Sequence, residues 1–286
     1  MKKTLLTIIG IFALALIVLL YPWIGGYLFR DINPIEDKDL LYKQREVSSE
    51  DNAYNELTKL SEALEFEDAK KDRIIAHLNN AEWDEKFVKK ILLLNNENLK
   101  HFVEAGKKPT YQNPIYTNLT TVDLNNILSS TKTLEKTVMA ARLATLETML
   151  LARQGEPEQA MHNLLQILKL NESIQKSEGT LIDKLITITV DSMALEGIKN
   201  IAKNYSMPKT TLVLYAKQLT EYEDVHLEEA YKGEYLLFTT LLSAVKDDPA
   251  FGKMLKWAPK IYFHPNKTKQ MAAVRLRELI SLSKIP

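Results

Sequence analysis

Residues 144–170 have the sequence ATLETMLLARQGEPEQAMHNLLQILKL, which predicts two α-helices joined by a short turn. Apolar residues recur at helical spacing on both sides of the turn. Gly155 permits a tight reversal of the chain, and Pro157 suits the first turn of the helix that follows. Ala160 is small enough to let two helix backbones approach closely. The stretch therefore predicts an antiparallel helical hairpin.

The same helical periodicity extends in both directions along the chain. No segment alternates as a strand would, and nine glycines and ten prolines are few for the turns of an all-β protein. We therefore predict an all-α fold of roughly nine helices, with a capping pattern at residues 48–51, a C-terminal glycine cap at Gly106 and a loop over 107–118. The predicted helices run from about residue 52, then over 68–78, 84–105, 123–153, 158–176, 180–202, 208–219, 223–246 and 266–284.

The hairpin resembles one tetratricopeptide repeat. Gly155 and Ala160 match the glycine and alanine of that repeat, and Thr148 stands at the position of its small packing residue. Leu151 replaces the usual tyrosine, and no second copy appears at the repeat spacing of about 34 residues. The resemblance implies a helical-hairpin array with a groove for a protein partner.

A broader resemblance covers most of the chain. The apolar N-terminus, the hairpin, the stretch LIDKLITITVDSMALEGI at 181–198 and the segment 264–268 together resemble membrane-anchored bacterial proteins built from irregular paired helices. That resemblance implies no particular reaction.

The N-terminus predicts a membrane anchor. Lys2 and Lys3 precede a run at residues 4–29 that contains no charge, which is long enough to cross a hydrocarbon core of roughly 30 Å as one helix. The two lysines favour a cytoplasmic N-terminus. A cleaved signal peptide is the competing interpretation, but a cut after Gly26 would put the bulky Ile24 at the position that needs a small residue.

We therefore predict a single-pass protein of the cell membrane. Residues 1–29 form the anchor, 30–49 a polar linker, and 50–286 an extracytoplasmic helical domain. About 255 residues after the anchor, in a chain with 45% hydrophobic residues, are enough to build a core by packing alone.

Composition excludes several kinds of chemistry. The chain has no cysteine, which rules out disulfides, thiolate catalysis and cysteine-bound metals. Its net charge is zero, so we predict no nucleic-acid partner.

No motif predicts a catalytic, cofactor-binding or metal-binding residue. Glu223 and His226 form a Glu-x-x-His pair, but a di-iron bundle needs two such pairs and the flanking residues are acidic, as on a solvated helix face. Ser-x-x-Lys occurs five times without the companion motifs of penicillin-binding enzymes. We therefore expect no cofactor.

The C-terminal region, 251–286, carries eight basic residues and one acid, Glu278. Two interpretations stay open: contact with an anionic surface, or packing beside acidic helices of the same molecule. Trp257, Tyr262 and Phe263 either line a ligand cleft or plug the end of the helical stack.

The leading functional hypothesis is a non-catalytic binding or scaffold protein that engages a protein partner through a groove on the 134–203 helices. The alternative is a cell-envelope hydrolase with dispersed carboxylates. A deep pocket lined by two close acids would favour the hydrolase, and a shallow groove would favour the scaffold.

Overall fold

The computed structural model describes residues 31–42, 45–60, 68–79, 82–116, 124–222, 227–247 and 264–284. Within these ranges the protein is all-helical: it contains no strand, and one isolated parallel bridge joins Asn52 to Thr110. The predicted all-α class is confirmed. The predicted anchor at 4–29 lies outside the described residues, and no described helix is both long and apolar enough to cross a membrane.

Ten α-helices lie in the described ranges, and we number them in chain order. They are α1 (Ala53–Leu57), α2 (Asp68–Leu78), α3 (Glu85–Leu94), α4 (Asn96–Gly106), α5 (Leu124–Arg153), α6 (Pro157–Gln175), α7 (Leu181–Asn204), α8 (Lys209–Thr220), α9 (Leu227–Asp247) and α10 (Pro265–Leu282). Single 3-10 turns occur at Lys38–Leu40 and Pro114–Tyr116. The bounds of α2, α5, α6 and α7 agree with the sequence predictions to within two residues.

The chain divides into two compact units. The larger unit contains residues 41–236, and the smaller unit contains residues 31–40 together with the described residues after 236.

The core of the larger unit forms where α5, α6 and α7 pack against one another. Ala144, Ala160 and Ala194 are each at most 5% exposed. Such small side chains allow helix backbones to approach closely. At Gly197 on α7, an added Cβ would lie only 3.0 Å from the Leu164 side chain of α6, so these two helices are in close contact there.

The turn between α5 and α6 has the geometry that the sequence predicts. Gly155 has a φ of 93°, a conformation that residues with a side chain rarely adopt. The N–H of Glu156 donates to the Leu151 carbonyl at 3.0 Å, which closes the end of α5. Pro157 begins α6, and Ala160 is completely buried. The predicted turn at Gly155 is confirmed.

The predicted single helix over 84–105 is wrong, because the structure breaks it at Asn95. Helix α3 ends at Leu94, and α4 begins at Asn96. Asn95 is buried, and its side-chain amide donates to the Ile91 carbonyl at 2.9 Å. An asparagine that bonds to nearby backbone competes with the continuation of a helix. The sequence pattern did not reveal this local competition.

The predicted glycine cap at Gly106 is also wrong. Gly106 is the last residue of α4 and is buried, and the cap residue is Lys107 in right-handed helical conformation. A Cβ on Gly106 would meet the Gln166 carbonyl oxygen of α6 at 3.8 Å. This glycine therefore faces a neighbouring helix and does not reverse the chain.

The predicted capping pattern at residues 48–51 does not cap a helix directly. Asn52 is the N-cap of α1, and its side chain accepts the N–H of Tyr54 at 3.1 Å. The Ser48 hydroxyl donates to the Asp51 carboxylate at 2.8 Å in the turn just before.

In the smaller unit, acidic side chains near residue 31 pair with α10. The Asp31 carboxylate accepts the N–H groups of Asn266 and Lys267 at 2.9 and 3.0 Å, at the N-terminus of α10. Arg277 donates to both oxygens of Asp39, at 2.8 and 2.7 Å. Basic residues of the C-terminal region thus have acidic partners at residues 37–39 of the same unit.

Candidate binding groove

The larger unit contains a groove of about 400 Å³ between α4, α5 and α6. Most of its lining is apolar or uncharged, as is typical of binding clefts. The residues that matter most for its chemistry are Phe102, Val103, Ala144, Glu147, His162 and Ile167.

Small residues at the helix contacts leave the space that the groove occupies. Gly106 of α4 has no side chain, and Ala144 and Thr148 of α5 are short. The Thr148 hydroxyl already donates to the Thr145 carbonyl at 2.6 Å, so it offers little to a ligand. Val103 is 48% exposed and provides apolar surface that solvent can reach.

Glu147 is the only carboxylate among the residues that line this groove. It is half-buried, and it makes no hydrogen bond or ion pair within the described part of the chain. Burial raises the pKa of Glu147 above its ordinary value, since the charged form loses hydration. The other ionisable lining residues are His162, which is exposed, and Lys107, whose Nζ lies 2.5 Å from Glu104.

Two of the three helices of this groove, α5 and α6, lie within the 134–203 region in which the sequence predicts a groove. The third helix, α4, was not anticipated, because nothing in the sequence indicates which earlier helix packs across the hairpin. Glu147 did carry a sequence signal, since it is the one acid in the run ARLATLETMLLAR at 141–153. We did not single it out from the sequence.

The structure encloses a buried lysine that the sequence gave no reason to expect inside. Lys184 of α7 is 1% exposed. Its ammonium group donates to the carbonyls of Ile174, Gln175 and Ser177, at 3.5 and 2.8 Å for the first and last of these. Ile174 and Gln175 end α6, where carbonyls lack helical partners, and Ser177 lies just beyond it; the Ile174 carbonyl also accepts the Ser177 hydroxyl at 2.6 Å. Burial lowers the pKa of Lys184 to about 8, so it remains mostly charged at neutral pH.

Asp183, next to this lysine, is also buried. It forms a capping box with Thr180 at the start of α7 and accepts the Tyr116 hydroxyl at 3.0 Å. Burial is the main cause that raises the pKa of Asp183. The hydroxyl of Tyr42, in the predicted linker, accepts the N–H of Gly179 at 3.0 Å in the same region. This cluster joins distant segments and has its polar groups paired.

A third buried group, Asp191 of α7, lies at the centre of a separate network. Its carboxylate accepts the Asn171 amide at 2.6 Å, the Tyr222 hydroxyl at 2.5 Å and the Gln175 amide. Burial raises the pKa of Asp191, and these three donors oppose the increase. The network connects α6, α7 and the segment that follows α8.

Glu223 and His226 lie outside the described residues, and so do Trp257, Tyr262 and Phe263. In the described ranges, no group of three or more histidine, aspartate or glutamate side chains could hold a metal ion. Lys176, the lysine of one Ser-x-x-Lys sequence, forms an ion pair in which its Nζ lies 2.7 Å from the Glu172 carboxylate.

The chain matches no protein-family model, no curated protein and no solved structure.

Proposed function

We propose that this protein is a non-catalytic binding or scaffold protein that holds an apolar segment of a protein partner in the groove between α4, α5 and α6. The observation that carries the proposal is a mostly apolar cleft with one half-buried carboxylate, which has no partner in the described part of the chain. Apolar surface supplies affinity when it is covered, and a single polar group fixes the orientation of what binds.

Glu147 suggests what the partner presents at this position. A carboxylate that is partly removed from water is stabilised by an opposite charge or a hydrogen-bond donor nearby. A lysine or arginine on the partner, flanked by apolar residues, would supply both. Lys107 cannot readily serve in that role, because it is already paired with Glu104. We therefore propose that the partner segment is apolar with one basic residue.

The proposed architecture is a tetratricopeptide-like array of helical hairpins. It is supported by the α5–α6 hairpin, with Gly155 at the turn and Ala160 buried in the helix contact. In arrays of this kind, paired helices leave concave surfaces on which partner segments bind.

The proposed location is the cell membrane, with residues 4–29 as a single-pass anchor, the N-terminus in the cytoplasm and the helical domain outside. The support is the uncharged run of the sequence after Lys2 and Lys3. Anchoring would raise the local concentration of the groove near membrane-bound partners.

The alternative function is a cell-envelope hydrolase, in which Glu147 would act as an acid. A carboxyl group with a raised pKa in a cleft is a common feature of a general acid. A paired-carboxylate mechanism needs a second acid facing the first, and the lining residues of this groove include only Glu147. The binding proposal is therefore the better supported of the two.

The test uses the full chain in its own cells, with a photo-crosslinking residue in place of the exposed Gln159 at the edge of the groove. We expect one partner to be captured, and Val103→Asp to reduce capture about tenfold, because it puts a charge into the apolar cleft. The matched control is Val213→Asp on α8, where the valine is 60% exposed and lies outside the groove.

Equal capture by both valine variants would show that the groove is not the binding site. Absence of any captured protein would contradict the scaffold proposal. Thermal melts of both variants check that each remains folded, as expected for substitutions at half-exposed positions.

A further inference from the structure

A second pocket on the larger unit has a different chemistry. It has a volume of about 290 Å³ and shares no lining residue with the groove. Four cationic side chains line it, and we call it the basic pocket: Arg45, Lys108, Lys169 and Lys176.

The positive charge of the basic pocket is only partly neutralised. Arg45 makes two hydrogen bonds to Glu178, at 3.0 and 2.8 Å. Lys176 is paired with Glu172, the only carboxylate that lines the pocket. Among the described residues, neither Lys108 nor Lys169 has a carboxylate partner. Two lysine charges therefore remain uncompensated beside a concave surface.

Thr110 and Tyr111 also line this pocket. The N–H of Thr110 donates to the Asp51 carbonyl at 3.3 Å, and the N–H of Gln112 donates to the Asn52 side chain at 2.9 Å. In an extended segment, successive N–H groups point to opposite sides. The N–H of Tyr111 therefore points away from these partners.

Tyr111 lines the basic pocket and is 4% exposed, and its N–H donates to no group in the part of the chain that the structure describes. A buried backbone N–H without an acceptor is rare in folded proteins, because its desolvation is not compensated. An acceptor bound in the pocket would remove that cost.

We propose that the basic pocket binds a phosphate-type oxyanion. The two lysines and the Tyr111 N–H, which have no acceptor among the described residues, and the Ser173 hydroxyl, which also lines the pocket, are the donor types that phosphate oxygens accept. The volume holds one phosphate group with a small attached group. The phosphate can come from a soluble phosphate ester or from the headgroup of a phospholipid.

The first experiment titrates inorganic pyrophosphate into the full chain in a nonionic detergent and measures heat. We expect saturable binding, which becomes roughly tenfold weaker in the double variant Lys108→Gln/Lys169→Gln as two charge-assisted contacts are lost. The matched control is Lys199→Gln/Lys203→Gln, which removes the same net charge from exposed positions on α7.

A second measurement uses NMR to follow the Tyr111 N–H, which is the proposed backbone donor. The chain is labelled with nitrogen-15 tyrosine, and the amide signal of Tyr111 is identified by its disappearance in Tyr111→Phe. We expect this signal to move downfield on addition of pyrophosphate. The Tyr111→Phe variant retains the backbone N–H and should bind as the wild type does.

Short-chain lipids added in the same detergent distinguish the two sources of phosphate. Displacement of pyrophosphate by short-chain phosphatidylglycerol but not by short-chain phosphatidylcholine identifies a lipid headgroup. Pyrophosphate binding that neither lipid displaces identifies a soluble ligand. Equal weakening in both double variants, or no saturable binding in either assay, overturns the proposal and leaves the proposed partner groove unaffected.

Discussion

The groove and the buried polar clusters both withdraw ionisable side chains from water, but they differ in the hydrogen-bond partners that they provide. Glu147 in the groove and Asp191 of α7 both have a pKa that burial raises. Asp191 accepts hydrogen bonds from three side chains, whereas Glu147 has no partner among the described residues. Both carboxylates have a raised pKa, and they differ in that Asp191 has hydrogen-bond donors whereas Glu147 has none among the described residues.

This difference separates a structural role from a binding role. A buried polar group whose hydrogen bonds are complete stabilises one arrangement of the chain and has little left for a ligand. A half-buried group without partners costs free energy until something binds to it. Glu147 therefore has hydrogen-bonding capacity left for a ligand, whereas the more deeply buried Lys184 and Asp183 already have partners.

The largest expected effect tests the packed interior that supports both regions. Ala160 is completely buried at the contact between α5 and α6. Ala160→Asp should destabilise the protein by about 4 kcal/mol or more, because it buries an unpaired charge. Urea unfolding measures the change.

The control for that substitution is Ala202→Asp, at an exposed position near the end of α7. It should cost under about 1 kcal/mol. An unchanged unfolding midpoint for Ala160→Asp would mean that the hairpin packing is not as described.

A smaller effect tests whether the buried cluster is structural. Lys184→Met keeps a long apolar side chain and removes the donor to the Gln175 and Ser177 carbonyls at and just beyond the end of α6. We expect a loss of about 3 kcal/mol, because these two buried carbonyls lose that donor. Lys199→Met, at an exposed position on the same helix, should change stability by about 0.5 kcal/mol or less.

If Lys184→Met leaves the free energy of unfolding unchanged, the enclosed lysine does not support the end of α6. The buried cluster would then not have the structural role that distinguishes it from the groove.

The smallest effect tests the missing partner of Glu147. Its pKa is higher in the folded state than the ordinary value of 4.5, so the folded state binds a proton more tightly than the unfolded state. Stability due to this group therefore falls as pH rises through and above that value. Glu147→Gln removes the ionisation, and we expect it to be more stable than wild type at pH 8 by about 0.5 kcal/mol, after allowance for solvent screening.

The gain should shrink as pH is lowered toward the ordinary pKa, because the wild-type carboxyl group then becomes protonated in both states. Unfolding at several pH values measures it. Glu135→Gln, exposed on the same helix, should show no such dependence. A constant difference between Glu147→Gln and wild type at all pH values would indicate that the carboxylate does have a partner.

Local sequence chemistry predicted much of the fold. The turn at Gly155 and the extent of α5, α6 and α7 follow from periodicity, glycine and proline, all of which act within a few residues. The break at Asn95 was missed, because the same residue type occurs within helices and its side-chain bond to Ile91 is visible only in three dimensions.

The candidate site was harder to predict from the sequence than the fold. The 134–203 region contains two sides of the groove, but α4 could not be assigned as the third, because its packing depends on contacts between distant segments. The basic pocket likewise combines Arg45, Lys108 and Lys169 from three separated parts of the chain.

By itself, the sequence determined an all-helical chain without cysteine and with a hairpin at Gly155, since helix periodicity, composition and turn chemistry are local properties. Only the tertiary structure decided that Lys184 and Asp191 lie inside while Glu147 lines a groove and has no partner among the residues that the structure describes. All three are charged residues on helices. Their environments differ because burial and pairing depend on which distant segment packs against each helix. Local sequence patterns do not predict that packing.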